Sequence, residues 1–249
     1  MAIFAWLFWS SSRSITPSFS VPGEYDWQHY DTEHCRIYYY QDNGFVDLYG
    51  DKVDSIYLEV TDLLGHETMT LETEGYLLPI VLLCGCTYGE LQSIDAARAG
   101  WNGTCVFINI DQMEEFNLEG TLTHEYIHAV TLDSKMSQTE NIPGWFAEGI
   151  AQYYQYYSTE RMGRIVSEGS FVEWSEIAQS SSDWPAAHRA DYYTQAASIY
   201  LFLIDIYGLD CIHSIFFSHG DFEYLLFDVT QVTIVELEKM WQSYMREKY

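Results

Sequence analysis

The chain has 249 residues, enough to bury a sizeable core as one large domain or two closely joined halves. Its 21 Tyr, 13 Phe and 8 Trp argue for a packed globule and against disorder. A formal net charge of −26, from 11 Lys and Arg against 37 Asp and Glu, repels phosphate backbones and anionic lipid and excludes nucleic-acid binding as a main function.

Ala2 to Trp9 is an apolar run with no basic residue before it. It is too short to cross a bilayer, which takes about 20 apolar residues, and it lacks the basic region of a secretory signal. Three readings stay open: a poor signal, a shortened membrane anchor, or a segment docked on the core. On that ground a secreted or cell-envelope location is slightly favoured over a cytoplasmic one. Residues 10–25 are rich in Ser and carry Pro17, Pro22 and Gly23, the composition of a linker. Residues 1–29 are therefore set apart from a domain over 30–249.

Cys35 to Tyr40, aromatic and β-prone, predicts a strand closed at Asp42-Asn43-Gly44. Phe45, Tyr49, Val53, Ile56, Val60 and Leu63 recur at helical spacing, and Gly65 suits the residue just past a helix end. Leu77 to Leu83 predicts a buried strand with Pro79 near its start. A short helix over 87–94, a turn over 100–103 and a second apolar strand from Thr104 to Ile110 follow. The five cysteines are an odd count without a C-x-x-C, and Cys84-Gly85-Cys86 is too tight for a structural zinc pair. Cys84 and Cys105 lie in apolar runs and read as buried thiols, with a disulfide left open.

The next helix, over Glu119 to Leu132, carries His124-Glu125-Tyr126-Ile127-His128. Residues i and i+4 share one helical face, so both imidazoles can grip one zinc ion. Glu125 sits one step round, where a carboxylate can serve as general base toward water at an open coordination position. Glu148, beyond a turn marked by Asn141, Pro143 and Gly144, is the candidate third ligand. A chain with 8 His and 21 Glu holds such a pentapeptide by chance roughly 0.02 times. The competing reading is a surface helix with two solvated histidines.

Leu122 to Val130, followed by Pro143-Gly-Trp-Phe-Ala-Glu-Gly-Ile-Ala-Gln-Tyr153, resembles the gluzincin metallopeptidases, and most closely their peptidase-MA-like domains. The resemblance extends from about Tyr30 to the C-terminus and rests on pattern outside the two motifs. It implies a zincin-like α+β fold: a small mixed sheet and active-site helix over 30–135, then a mostly helical half over 136–249. It implies zinc held by His124, His128 and Glu148, with Glu125 as base, and a peptide or protein substrate. It places the strand before the metal helix, here 104–110, at the sheet edge, where a substrate strand can pair.

The resemblance also aligns Tyr193, in Tyr192-Tyr-Thr-Gln-Ala-Ala-Ser-Ile-Tyr200, with the tyrosine that stabilises an oxyanion, and Tyr192 stands behind it. Gln152 occupies a position where related enzymes often carry an acid that supports the metal ligands. Trp145 reads as core packing. His188, His213 and His219 lack metal-like spacing and read as incidental. One helix over Asp191 to Tyr207 and a capping box at Thr233–Glu236 complete the helical half. No G-x-M-x-N signature precedes the motif, which favours endopeptidase or processing activity over aminopeptidase. Two other classes fit the same ligands: a zinc-stabilised binding module without turnover, and a metallohydrolase of a non-peptide amide.

Overall fold

The structure, a computed structural model, describes residues 26–40, 44–66, 77–83, 99–101, 105–109, 118–132 and 139–249. The N-terminal apolar run, the helix expected over 87–94, Cys84 and Cys86 lie outside the described residues.

In chain order the elements are β1 (Gln28–Asp31), β2 (Cys35–Tyr39), α1 (Phe45–Leu64), β3 (Leu78–Leu83), β4 (Ala99–Trp101), β5 (Val106–Asn109), α2 (Leu118–Thr131), β6 (Thr139–Glu140) and α3 (Gly144–Tyr156). There follow α4 (Thr159–Glu168), a 3₁₀ turn at Ser181–Asp183, α5 (Arg189–Tyr207), α6 (Leu209–Phe216), β7 (Gly220–Asp221), α7 (Phe222–Thr230) and α8 (Ile234–Lys248). This is a mixed α/β architecture: a small five-stranded mixed sheet first, then a largely helical half.

The sheet order is β1-β2-β3-β5-β4, with β2, β3 and β5 parallel and the two outer strands antiparallel to their neighbours. Alternate residues Cys35 and Ile37 of β2 and Leu78 and Ile80 of β3 are buried, the period of one strand face, and in the interior strand β5 Val106, Phe107 and Ile108 are all buried. They join one core cluster with Val53, Ile56, Tyr57 and Val60 of α1 and Leu122, Tyr126, Ile127 and Val130 of α2. Tyr57 and Tyr126 meet edge to face, ring centroids 5.7 Å apart, fixing α1 against α2. Gly65 ends α1 at φ 69°, its N–H bonded to the Thr61 carbonyl, as the periodicity predicts.

Two elements differ from the sequence reading. The strand expected at the sheet edge, β5, is interior; the edge belongs to β4, whose last two residues, Gly100 and Trp101, fall in the stretch read as a turn. Gly100 suggested a break, but pairing of Ala99, Gly100 and Trp101 with Ile108, Phe107 and Val106 overrides its weak strand propensity. β1 begins at Gln28, inside the segment assigned to the linker. Its four residues are all exposed and show no apolar alternation; pairing with β2 makes it a strand.

In the helical half, α5 is the central element: every residue from Thr194 to Leu203 is buried. A helix buried on all sides is a core helix rather than an amphipathic surface one. α3 packs along it more extensively than any other pair of elements. The expected capping box opens α8, with Thr233 and Glu236 bonding reciprocally, while Leu237, Trp241 and Met245 are buried. Among the described residues, no helix is long and apolar enough to cross a membrane.

Candidate metal centre

Two helices build the centre. α2 is buried on nearly every face, from Leu118 and Leu122 to Ile127 and Val130, so its histidines are buried with it. His124 and His128 are only 8% and 7% exposed, which removes the reading of solvated surface histidines. α3 packs against both α2 and α5, and Glu148, just past its first turn, reaches toward α2. Trp145 and Phe146, both buried, anchor that turn against Trp174, Phe216 and Phe222. Trp145 is thus core packing, as read from the sequence.

The glycines around Glu148 have a steric reason. A Cβ on Gly149 would lie 2.6 Å from the Ala196 carbonyl oxygen of α5, and one on Gly144 would lie 2.0 Å from that of Gln179. Gly144 also donates its N–H to the Ala178 carbonyl at 2.7 Å. Backbone therefore touches backbone on both sides of Glu148, which places the carboxylate without a long flexible support.

His128 Nε2 lies 3.0 Å from His124 Nε2, and each lies 3.3 Å from Glu148 Oε2. Four tetrahedral ligands at the usual zinc distances stand about 3.3 Å from one another. The three atoms thus match three corners of a zinc tetrahedron. His124 Nδ1, His128 Nδ1 and Glu148 Oε2 are buried without a hydrogen-bond partner among the described residues. Buried polar atoms are normally satisfied, so an orphaned carboxylate oxygen facing two imidazoles is what a cation site leaves when described without its cation. The donor set of two imidazoles and one carboxylate fits zinc. Burial alone would raise the Glu148 carboxyl, but His128 and His124 beside it hold it well below the usual carboxylate range, in the ligand form.

Glu125 is buried on α2, 7% exposed. Tyr193, on the first turns of α5, faces the ring of His124 at a centroid distance of 6.4 Å. Its phenol is pushed up by burial, then by the Glu148 and Glu125 carboxylates, so it stays a protonated donor. Tyr192, the second choice, turns instead to Trp184 and His188.

Gln152 does not support the histidines: its amide nitrogen donates to the Tyr156 carbonyl at 2.7 Å, one turn along its own helix. The group that does reach Glu148 is Ser181, whose hydroxyl donates to Oε1 at 2.7 Å. No sequence pattern marks Ser181, which sits in a serine run with Ser180 and Ser182. His213 is not incidental either, being buried and bonded through Nε2 to the Tyr200 hydroxyl at 2.6 Å.

A second acidic and histidine group, Glu33, His34 and Asp54, serves the fold. Asp54 Oδ1 accepts from the His34 N–H at 2.9 Å and the Thr32 hydroxyl at 2.5 Å, and Oδ2 meets His34 Nδ1 at 2.9 Å. Those bonds staple the β1–β2 turn to α1. Cys35 and Cys105 are buried thiols, and burial pushes Cys35 up to about 12, making it inert.

No protein-family model matches the chain, and no curated protein is significantly similar to it.

Proposed function

We propose that the chain is a zinc-dependent peptide hydrolase of gluzincin type, with a zincin-like fold and His124, His128 and Glu148 as metal ligands. The observation that carries this reading is the convergence of two imidazole nitrogens and one carboxylate oxygen at 3.0–3.3 Å, all buried. Three protein ligands are the signature of a site with an open position, whereas structural zinc sites close with four. A buried Glu125 next to His124 favours catalysis over a purely structural role, because a structural ion needs no base.

When bound, zinc supplies Lewis acidity toward a carbonyl and toward water. Glu125 takes a proton from the attacking water and delivers it to the leaving amine. The Tyr193 O–H donates to the carbonyl oxygen as charge develops there. An extended peptide adds to the sheet at β4, the outer strand that packs on α2. A net charge of −26 favours cationic over anionic substrates.

Metal analysis with peptide-library cleavage, wild type against Glu125→Gln, tests the reading. The variant keeps its zinc and loses cleavage by about a hundredfold or more. Equal cleavage at matched zinc loading would remove Glu125 as base. Wild type that carries zinc but cleaves no peptide bond would leave a binding module or a non-peptide amidase.

A further inference from the structure

The geometry points to Ser181 as the positioning residue of this centre: its hydroxyl fixes the Glu148 carboxylate. The inference rests on the zinc reading and adds to it a residue that neither motif contains.

Ser181 Oγ donates to Glu148 Oε1 at 2.7 Å. The other oxygen, Oε2, lies 3.3 Å from both histidine nitrogens. The two oxygens are thereby differentiated, one held by the hydroxyl and one facing the two imidazoles, where it would ligate the ion. A carboxylate rotating freely about its terminal bond would exchange them. The hydroxyl thereby holds a ligand on α3 from the turn that precedes α5.

The turn that carries Ser181 is clamped. The Trp184 N–H returns to the Ser181 carbonyl at 3.3 Å, and the Trp184 ring is buried against Tyr192 and Tyr193, at 5.8 and 5.0 Å. Arg189, at the start of α5, donates to the carbonyls of Ser182 and Trp184 at 3.3 and 3.2 Å. On the other side, Gly144 of α3 abuts the backbone at Ala178 and Gln179. The flanking serines behave otherwise: Ser180 and Ser182 bond each other at the exposed surface, 3.0 Å apart. Of the three, the middle serine alone turns to the carboxylate.

The test compares Ser181→Ala and Ser181→Thr with wild type and His124→Ala in full-length protein. Zinc dissociation constants come from chelator competition, and unfolding midpoints from the metal-free proteins. Ser181→Ala should weaken zinc binding about tenfold, the scale of lost support to a metal ligand. The metal-free midpoint should stay at the wild-type value, and Ser181→Thr, which keeps the hydroxyl, should restore the affinity. Ser181→Ala binding zinc as tightly as wild type overturns the inference while the zinc reading stands. Loss that Thr does not restore, or that comes with a lowered metal-free midpoint, overturns it in favour of plain packing. Wild type binding zinc no better than His124→Ala overturns both.

Discussion

Gly149 backs onto Ala196 so closely that a Cβ on the glycine would lie 2.6 Å from the alanine carbonyl oxygen. The residue after the candidate ligand Glu148 is therefore where α3 and α5 touch backbone to backbone. Gly149→Ala should cost about 2–3 kcal/mol, the usual scale of overpacking, and should weaken zinc binding by displacing Glu148. Gly163, in α4, is the control, because nothing lies within 4 Å of its added Cβ. Gly163→Ala should stabilise by about 0.5–1 kcal/mol through helix propensity. Urea unfolding of both variants decides; a Gly149→Ala protein as stable as wild type would show that the crossing relaxes freely.

The histidines and Glu148 were legible in the sequence because their signal is local. The i,i+4 rule places His124 and His128 on one face whatever the rest of the chain does, and the Gly144 to Tyr153 segment carries its own helical register. α1 and α8 were legible for the same reason, through periodicity and a capping box. What could not be read depends on contacts made through space. β4 is a strand because β5 pairs with it. Ser181 differs from Ser180 and Ser182 only in which way the clamped turn points it. Gln152 looked placed for support, but the free carbonyl of Tyr156 at the helix end is nearer its amide.

Zinc removal should act through the three ligands and nothing else. A metal that binds only the folded chain stabilises it in proportion to the logarithm of its concentration over Kd, about 4 kcal/mol at a thousandfold excess. Wild type should lose several degrees of Tm on chelation and regain them with zinc. His128→Ala should start low and respond to neither. A scanning-fluorimetry titration of the two proteins checks this, and an equal response from His128→Ala would place the ion elsewhere.

Tyr193 faces His124 and carries a proton it does not readily lose. Tyr193→Phe removes the donor and keeps the ring packed against Trp184. The expected result is a fall in kcat of about a hundredfold or more with KM nearly unchanged and zinc content intact, because the lost bond strengthens only as charge develops. A matching rise in KM with kcat preserved would recast Tyr193 as a substrate-binding group.

His213 sets an acid limit on stability. It is buried on α6, hydrogen-bonds the Tyr200 hydroxyl through Nε2, and burial pushes its imidazole down to about 4, against the smaller opposing pull of Asp210. Above the ordinary value of 6.5, folded and unfolded chains both hold it neutral, and its contribution is fully present. As pH falls from 6.5 toward 4, the unfolded chain takes up a proton that the folded chain refuses, so stability is lost across that window. The loss is at most about 3 kcal/mol for a single group displaced this far. His213→Gln can still hydrogen-bond Tyr200 but cannot titrate, so its stability should fall less steeply over the same range. Urea unfolding of both proteins at steps between pH 7 and 4.5 reads the two slopes, and parallel slopes would remove His213 as the source of acid sensitivity.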